Sequence, residues 1–183
     1  MSNLCMHVLS AMMHSPIHNY GGIPGITSWL IGTPGEKGLV RLLMSSRDHQ
    51  EPIIPHSHRF DFHCMVLSGR VRNILWVKGT RGDRFQESTL TYGGAPGQYE
   101  RVAGEQGQWA MHESVYVEEQ EYSMRADEVH SIYFARGTSV LFFEGPRVSD
   151  TSIILEPVVD GIVVPTFEVK PWAFKLEPAG SEA

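Results

Sequence analysis

Nothing in this chain reads as a long amphipathic helix. What recurs instead is a short apolar run closed by glycine, proline or aspartate. The clearest such runs are Gly38 to Arg47, the stretch ending at Gly69, Val71 to Lys78, Val115 to Met124, Val129 to Phe134, Thr138 to Glu144, Thr151 to Leu155 and Gly161 to Val164. Arg125-Ala126-Asp127-Glu128 and Arg136-Gly137 read as turns between them, and Ser68-Gly69 reads as the turn of a hairpin that pairs Val71 to Lys78 with the strand before it. Many short strands must stack or close to bury their apolar faces, so the pattern predicts an all-β sandwich or barrel. At 183 residues with 42% hydrophobic content, one domain with a sizeable core is the expectation.

Chemistry concentrates in Pro55-His56-Ser57-His58-Arg59-Phe60-Asp61-Phe62-His63-Cys64, which holds three imidazoles in eight positions before closing on Gly69. In an extended backbone His56 and His58 project to the same side and can grip one ion together. Two imidazoles leave a divalent ion under-coordinated, and His130 is the best candidate for the third ligand. In Val129-His130-Ser131-Ile132-Tyr133-Phe134 it shares a strand face with Ile132 and Phe134. The other reading is that these rings are the polar lining of a metal-free pocket.

These residues resemble the motifs of the cupin superfamily: His-x-His, a spacer, a closing glycine, and another histidine on a later strand. His56, His58, His130 and Gly69 correspond, whereas His63 stands near the place where that family often has glutamate. The likeness covers roughly residues 37 to 157. It implies a double-stranded β-helix, a jelly-roll barrel, with residues 1–36 as an N-terminal arm, 37–157 as the barrel core and 158–183 as a last strand and tail. It also implies a divalent transition metal, iron(II) in first place with zinc, nickel or manganese as alternatives, and a homodimer. A dioxygenase-like oxidoreductase is the enzyme it suggests. A non-catalytic metal- or ligand-binding module and a metal-free isomerase are the alternatives.

Several further residues carry two readings. His63, five positions after His58, points outward in a regular strand unless a bulge turns it in, so it is either a fourth ligand or packed beside the site. Asp61 either holds a ligand histidine or serves a turn. Arg41 lies on an apolar strand face, where it could anchor a substrate carboxylate or pack its stem and send its head to an acid. Tyr122 and Tyr133 are candidate hydrogen-bond or proton donors. Cys64 resembles the cysteine of the thiol dioxygenases but is displaced by one position, which favours a small buried apolar role. Ile132, Phe134, Leu141 and Phe143 are the expected apolar lining of a pocket for a small polar or anionic molecule.

Residues 79 to 113 are rich in glycine, glutamine and proline, and read as an insertion with a short strand near Tyr99 to Val102; His112 at its end is expected to be exposed. A short helix is expected at Leu4 to Met13, and His7, His14 and His18 lack the two-residue spacing of His56 and His58, so surface or packing roles are expected for them. The net charge of -6 and scattered lysines and arginines argue against nucleic acid. No apolar run is long enough to span a bilayer, and two cysteines make no disulfide framework, so a cytoplasmic protein is expected.

Overall fold

β-Branched and aromatic residues at every second position extend the backbone, and the turns decide which sheet each strand joins. The computed structural model describes residues 16–32, 39–50, 53–93 and 99–164. The strands are β1 (Ile17–His18), β2 (Ile26–Gly32), β3 (Leu39–Ser45), β4 (Phe60–Ser68), β5 (Arg70–Gly79), β6 (Asp83–Tyr92), β7 (Tyr99–Val117), β8 (Glu121–Met124), β9 (Val129–Phe134), β10 (Ser139–Arg147), β11 (Thr151–Val159) and β12 (Ile162–Val163). The expected helix at Leu4 to Met13, together with His7, His14, Cys5 and the tail beyond 164, lies outside the described residues.

Two six-stranded antiparallel sheets result. The first has the order β1-β2-β3-β10-β4-β8 and the second β12-β11-β6-β7-β5-β9. From β8 onward the chain alternates between them, β8 and β10 in the first and β9 and β11 in the second, which is the double-stranded β-helix of a jelly roll. The main core fills the space between the sheets, with Phe62, Cys64, Val66, Val140 and Phe142 meeting Val71, Ile132 and Phe134. Val66 and Val71 are wholly enclosed, and each such side chain contributes about 1.5–3 kcal/mol. A second cluster of Phe85, Trp109, Val129 and Leu155 occupies the other face of the second sheet.

Three expectations change. Ser68-Gly69 is not a hairpin turn, because β4 and β5 lie in different sheets. Gly69, at φ 78°, carries the chain from one sheet to the other so close to Thr138 that a Cβ there would meet its Oγ1 at 2.6 Å. The run Val115 to Met124 is broken into β7 and β8 by a turn in which Glu119 has φ 68° and the Gln120 side chain accepts from the Val117 N–H. Finally, the glycine-rich 79–113 region is mostly β6 and the long β7, which pair with each other, and β7 goes on to pair with β5.

One short segment organises the site. The His56 and His130 backbones exchange N–H to carbonyl bonds of 2.9 Å. On the other side, the Leu155 N–H reaches the Pro55 carbonyl at 2.9 Å and the Ser57 N–H reaches the Ile153 carbonyl at 2.8 Å. Residues 55–57 are therefore wedged between β9 and β11, bridging the two sides of the second sheet. His56 and His58 precede β4 rather than standing within a regular strand, as the sequence had led us to expect.

Candidate metal centre

The wedge brings His56 beside His130, while the His58 N–H is held at 3.0 Å by the Ala126 carbonyl. One nitrogen from each of His56, His58 and His130 falls within 4.8 Å of the others. The ring centroids stand 4.9, 5.0 and 5.1 Å apart. His130 is only 2% exposed, so its polar atoms need partners.

Those partners fix which nitrogens face the cluster. The His56 Nδ1–H donates to the Ile54 carbonyl at 2.8 Å, leaving Nε2 as its free lone pair. The Asn73 amide nitrogen points to the Met124 sulfur at 3.5 Å, so its Oδ1 accepts from the His130 Nδ1–H at 2.7 Å. His130 therefore also presents Nε2, which lies 2.9 Å from Nε2 of His58. Tying the far ring nitrogen of a ligand histidine to a carbonyl or amide oxygen is how metal sites set tautomer and ring angle. Two imidazole nitrogens bound at right angles to one ion at about 2.1 Å stand about 3.0 Å apart. The observed spacing fits a shared divalent transition metal.

Burial holds all three rings neutral. The pKa of His56 is lowered by burial, against a smaller upward effect of its bond to Ile54. Those of His58 and His130 are pushed well below the usual value, first by burial and then by the neighbouring imidazoles. Neutral rings are what a metal needs. Phe62 lies against both His58, at 4.8 Å between centroids, and His130, at 5.6 Å, with Phe60 at 5.5 Å from His58.

No family model matches the chain, and no curated protein matches it in sequence. Three solved structures show a partial likeness to it. The hydroxypropylphosphonic acid epoxidase from S. wedmorenis is 8% identical, with a TM-score of 0.45 over 74% of this chain and 56% of that one. KdgF from Halomonas sp. is 14% identical, with a TM-score of 0.38 over 73% of this chain and 90% of its own. Hydroquinone 1,2-dioxygenase PnpCD, in complex with Cd2+ and 4-hydroxybenzonitrile, is 14% identical, with a TM-score of 0.36 over 63% and 61%. The chain thus spans a little over half of the epoxidase's length.

The remaining candidates are placed elsewhere. His63 points away from the cluster on the outer face of β4, where Nδ1 meets the Ser123 hydroxyl at 2.9 Å and Nε2 the Glu121 carboxylate at 3.2 Å. No bulge turns it inward, since β4 and β8 pair in register through this point. Asp61 accepts the Ala126 N–H at 2.7 Å and so fixes the turn before β9. Tyr133 lies on the outer face of β9 beneath the Arg72 guanidinium, 4.2 Å from its ring. Tyr122 is inside, stacked on Tyr116 at 4.5 Å and opposite Cys64 in the ladder, and burial keeps its hydroxyl protonated far above the ordinary range. Cys64 is buried as expected, and its thiol is pushed up to about 12.

Arg41 is also inside, its Nε 3.8 Å from Glu144 and its guanidinium 5.0 Å from the centre of the Tyr20 ring. It stands in register with Phe142, whose ring packs on Phe62, so two phenylalanines separate it from the imidazoles. The pocket lining shifts by one position on β10. Val140 and Phe142 face the core, whereas Phe143 lies on the outer face near His63. Sequence reasoning missed Asn73, although an amide between Val71 and Leu75 at core parity was the available signal.

Proposed function

We propose that this chain is a metal-binding cupin that holds one divalent transition metal, iron(II) in first place, on His56, His58 and His130. In this reading it is a dioxygenase-like enzyme acting on a small polar or anionic molecule. The supporting observation is the convergence of three neutral imidazoles whose Nε2 atoms on His56 and His130 are presented by fixed acceptors behind them. When bound, iron(II) supplies a Lewis acid and a one-electron redox couple.

The chain's own residues do the rest. Asn73 and the Ile54 carbonyl aim the rings, Phe60 and Phe62 wall them from water, and the wedge at 55–57 locks the spacing between His56 and His130. Arg41 keeps Glu144 company in the interior and is not assigned to substrate; Tyr122, sealed beside Cys64 with its hydroxyl protonated, transfers no proton in this reading.

Metal content of wild type against His58→Ala tests the centre: about one ion per chain should fall to near none, and equal contents would refute it. Iron(II)-loaded protein given thiols, small carboxylic acids and catechols should then consume dioxygen with at least one. The alternative, a module that binds without turnover, is favoured by one observation. Among the described residues no aspartate, glutamate, cysteine or further histidine joins the three imidazoles as a ligand. A compound that raises the melting temperature yet is never altered would support that alternative.

A further inference from the structure

The face that carries His130 and His56 continues onto β11 and β6. His56 bridges to His130 on one side and to Ile154 on the other, and Ile154 is in register with Ser88. Residues directly opposite in an antiparallel ladder project from the same face, so all four share one face. One row further on, Ser152 stands opposite Leu90, and Tyr92 follows at the same parity, its hydroxyl 3.1 Å from that of Ser152. The segment at 55–57 runs antiparallel to β11. The chain leaving His56 therefore travels in the direction that leads from Ile154 to Ser152, about 7 Å for two residues. Arg59 comes down at that end, its guanidinium 4.0 Å from the centre of the Tyr92 ring.

Ile154, Ser152 and Leu90 are buried, while Arg59 and Tyr92 are half-buried at the margin of this face. Charge is unevenly matched there. Arg41 has Glu144, and Arg101 has the buried Glu156. Among the described residues Arg59 has an aromatic ring beneath it and no carboxylate in ion-pair contact. Glu144, whose carboxyl is raised by burial, is lowered first by Arg41 and only then by Arg59, so one carboxylate answers to two guanidinium groups. A guanidinium stacked on a ring keeps its N–H edges free for a planar anion. Beside it, the two hydroxyls of Tyr92 and Ser152 carry two hydrogens, and their mutual bond uses one of them.

We propose that Arg59, seated on Tyr92, is a carboxylate-binding residue beside the metal centre, and that the molecule this protein takes carries one carboxylate. The carboxylate accepts two N–H bonds along the guanidinium edge, the Tyr92 and Ser152 hydroxyl pair supplies a further donor, and the rest of the molecule runs past Ile154 toward His56. For what lies at that far end the inference rests on the metal-centre reading.

Acetate, propionate, butyrate and lactate, each against its own amide at constant ionic strength, serve as probes of the zinc-loaded and the metal-free protein, with affinity read from the rise in melting temperature. At least one carboxylate should bind about tenfold tighter than its amide, the return expected of a hydrogen bond to a charged group. Arg59→Gln should remove that preference, and Arg59→Lys, which keeps the charge without the fork, should keep part of it. Arg72→Gln takes an arginine from a tyrosine on the outer face and should leave the preference whole. If Arg59→Gln does not fold, Tyr92→Leu, which removes the seat of the guanidinium, should weaken the preference about threefold. Carboxylates that bind no tighter than their amides, or an equal loss in Arg72→Gln, would overturn the assignment of Arg59. So would a preference that survives Arg59→Gln and vanishes in His130→Ala, since the carboxylate would then sit on the metal. Protein that takes up no zinc would bring down the metal centre alone, because the Arg59 preference is then read in the metal-free protein.

Discussion

Replacing Asn73 by alanine separates the aim of a ligand ring from the ligand itself. Asn73 is buried, and its Oδ1 is the acceptor that holds the His130 Nδ1–H at 2.7 Å. Alanine leaves that N–H without its acceptor in the core, which costs about 1–3 kcal/mol of stability in the metal-free protein. It also frees His130 to rotate or to move its proton to Nε2, the atom that faces His58 at 2.9 Å. Loss of such an outer partner weakens metal binding by about 10–100-fold, which corresponds to about 1.4–2.7 kcal/mol. Asn73→Asp keeps an acceptor and adds a negative charge facing the ligand. It should hold zinc or cobalt within about threefold of wild type, yet destabilise the metal-free protein, where that buried charge lacks a counter-charge. Competition with a chromophoric chelator reads the affinity, and thermal melts with and without metal read the two stabilities. If Asn73→Ala binds metal as wild type does while His130→Ala loses it, the ring needs no help from Asn73 and the reasoning is wrong.

His63→Ala should leave metal content and affinity unchanged, because that ring bonds Ser123 and Glu121 on the outer face; a loss comparable to that of His58→Ala in elemental analysis would bring it back as a ligand. In a Cys5→Ser background, Cys64 should resist iodoacetamide at pH 8, since a thiol at about 12 is ionised to only about one part in ten thousand there, and it should react on unfolding. A folded-state pKa raised by burial means that the unfolded thiol ionises first. Stability from Cys64, together with Tyr20, whose hydroxyl is also pushed up to about 12, should therefore be intact below about pH 9 and decline as pH rises toward 12; an alkaline melting profile that is flat over that range would contradict it. Gly69→Ala should cost about 2 kcal/mol or more in urea denaturation, because it combines φ 78° with a Cβ set 2.7 Å from the Thr138 Cα; a neutral effect would show that the crossing between sheets can move. We also propose a homodimer, for which light scattering should give twice the chain mass at micromolar concentration, and a persistent monomer would exclude it.

Local pattern was enough for the strands that are buried on both faces or that alternate cleanly. Val129–Phe134 needs nothing beyond its own residues to be extended and to send His130, Ile132 and Phe134 one way. The same parity argument turns His63 outward once β4 is regular. Pairing partners are a different matter, because a strand's sequence specifies its faces and not its neighbours. Ser68-Gly69 has the composition of a hairpin turn, yet β5 finds more to pair with in β7 and β9 than in β4, and only that choice brings Leu75 and Asn73 beside His130. Glycine and glutamine in 79–113 weaken local strand preference, so β6 and β7 become extended through the ladders they make with each other and with β5 and β11. His-x-His marked two imidazoles as a pair from spacing alone. What sets them against a third ring 72 residues later is the wedge of Pro55 to Ser57 between β9 and β11, a set of backbone hydrogen bonds between segments distant in the chain, to which no side-chain pattern in any one of them points.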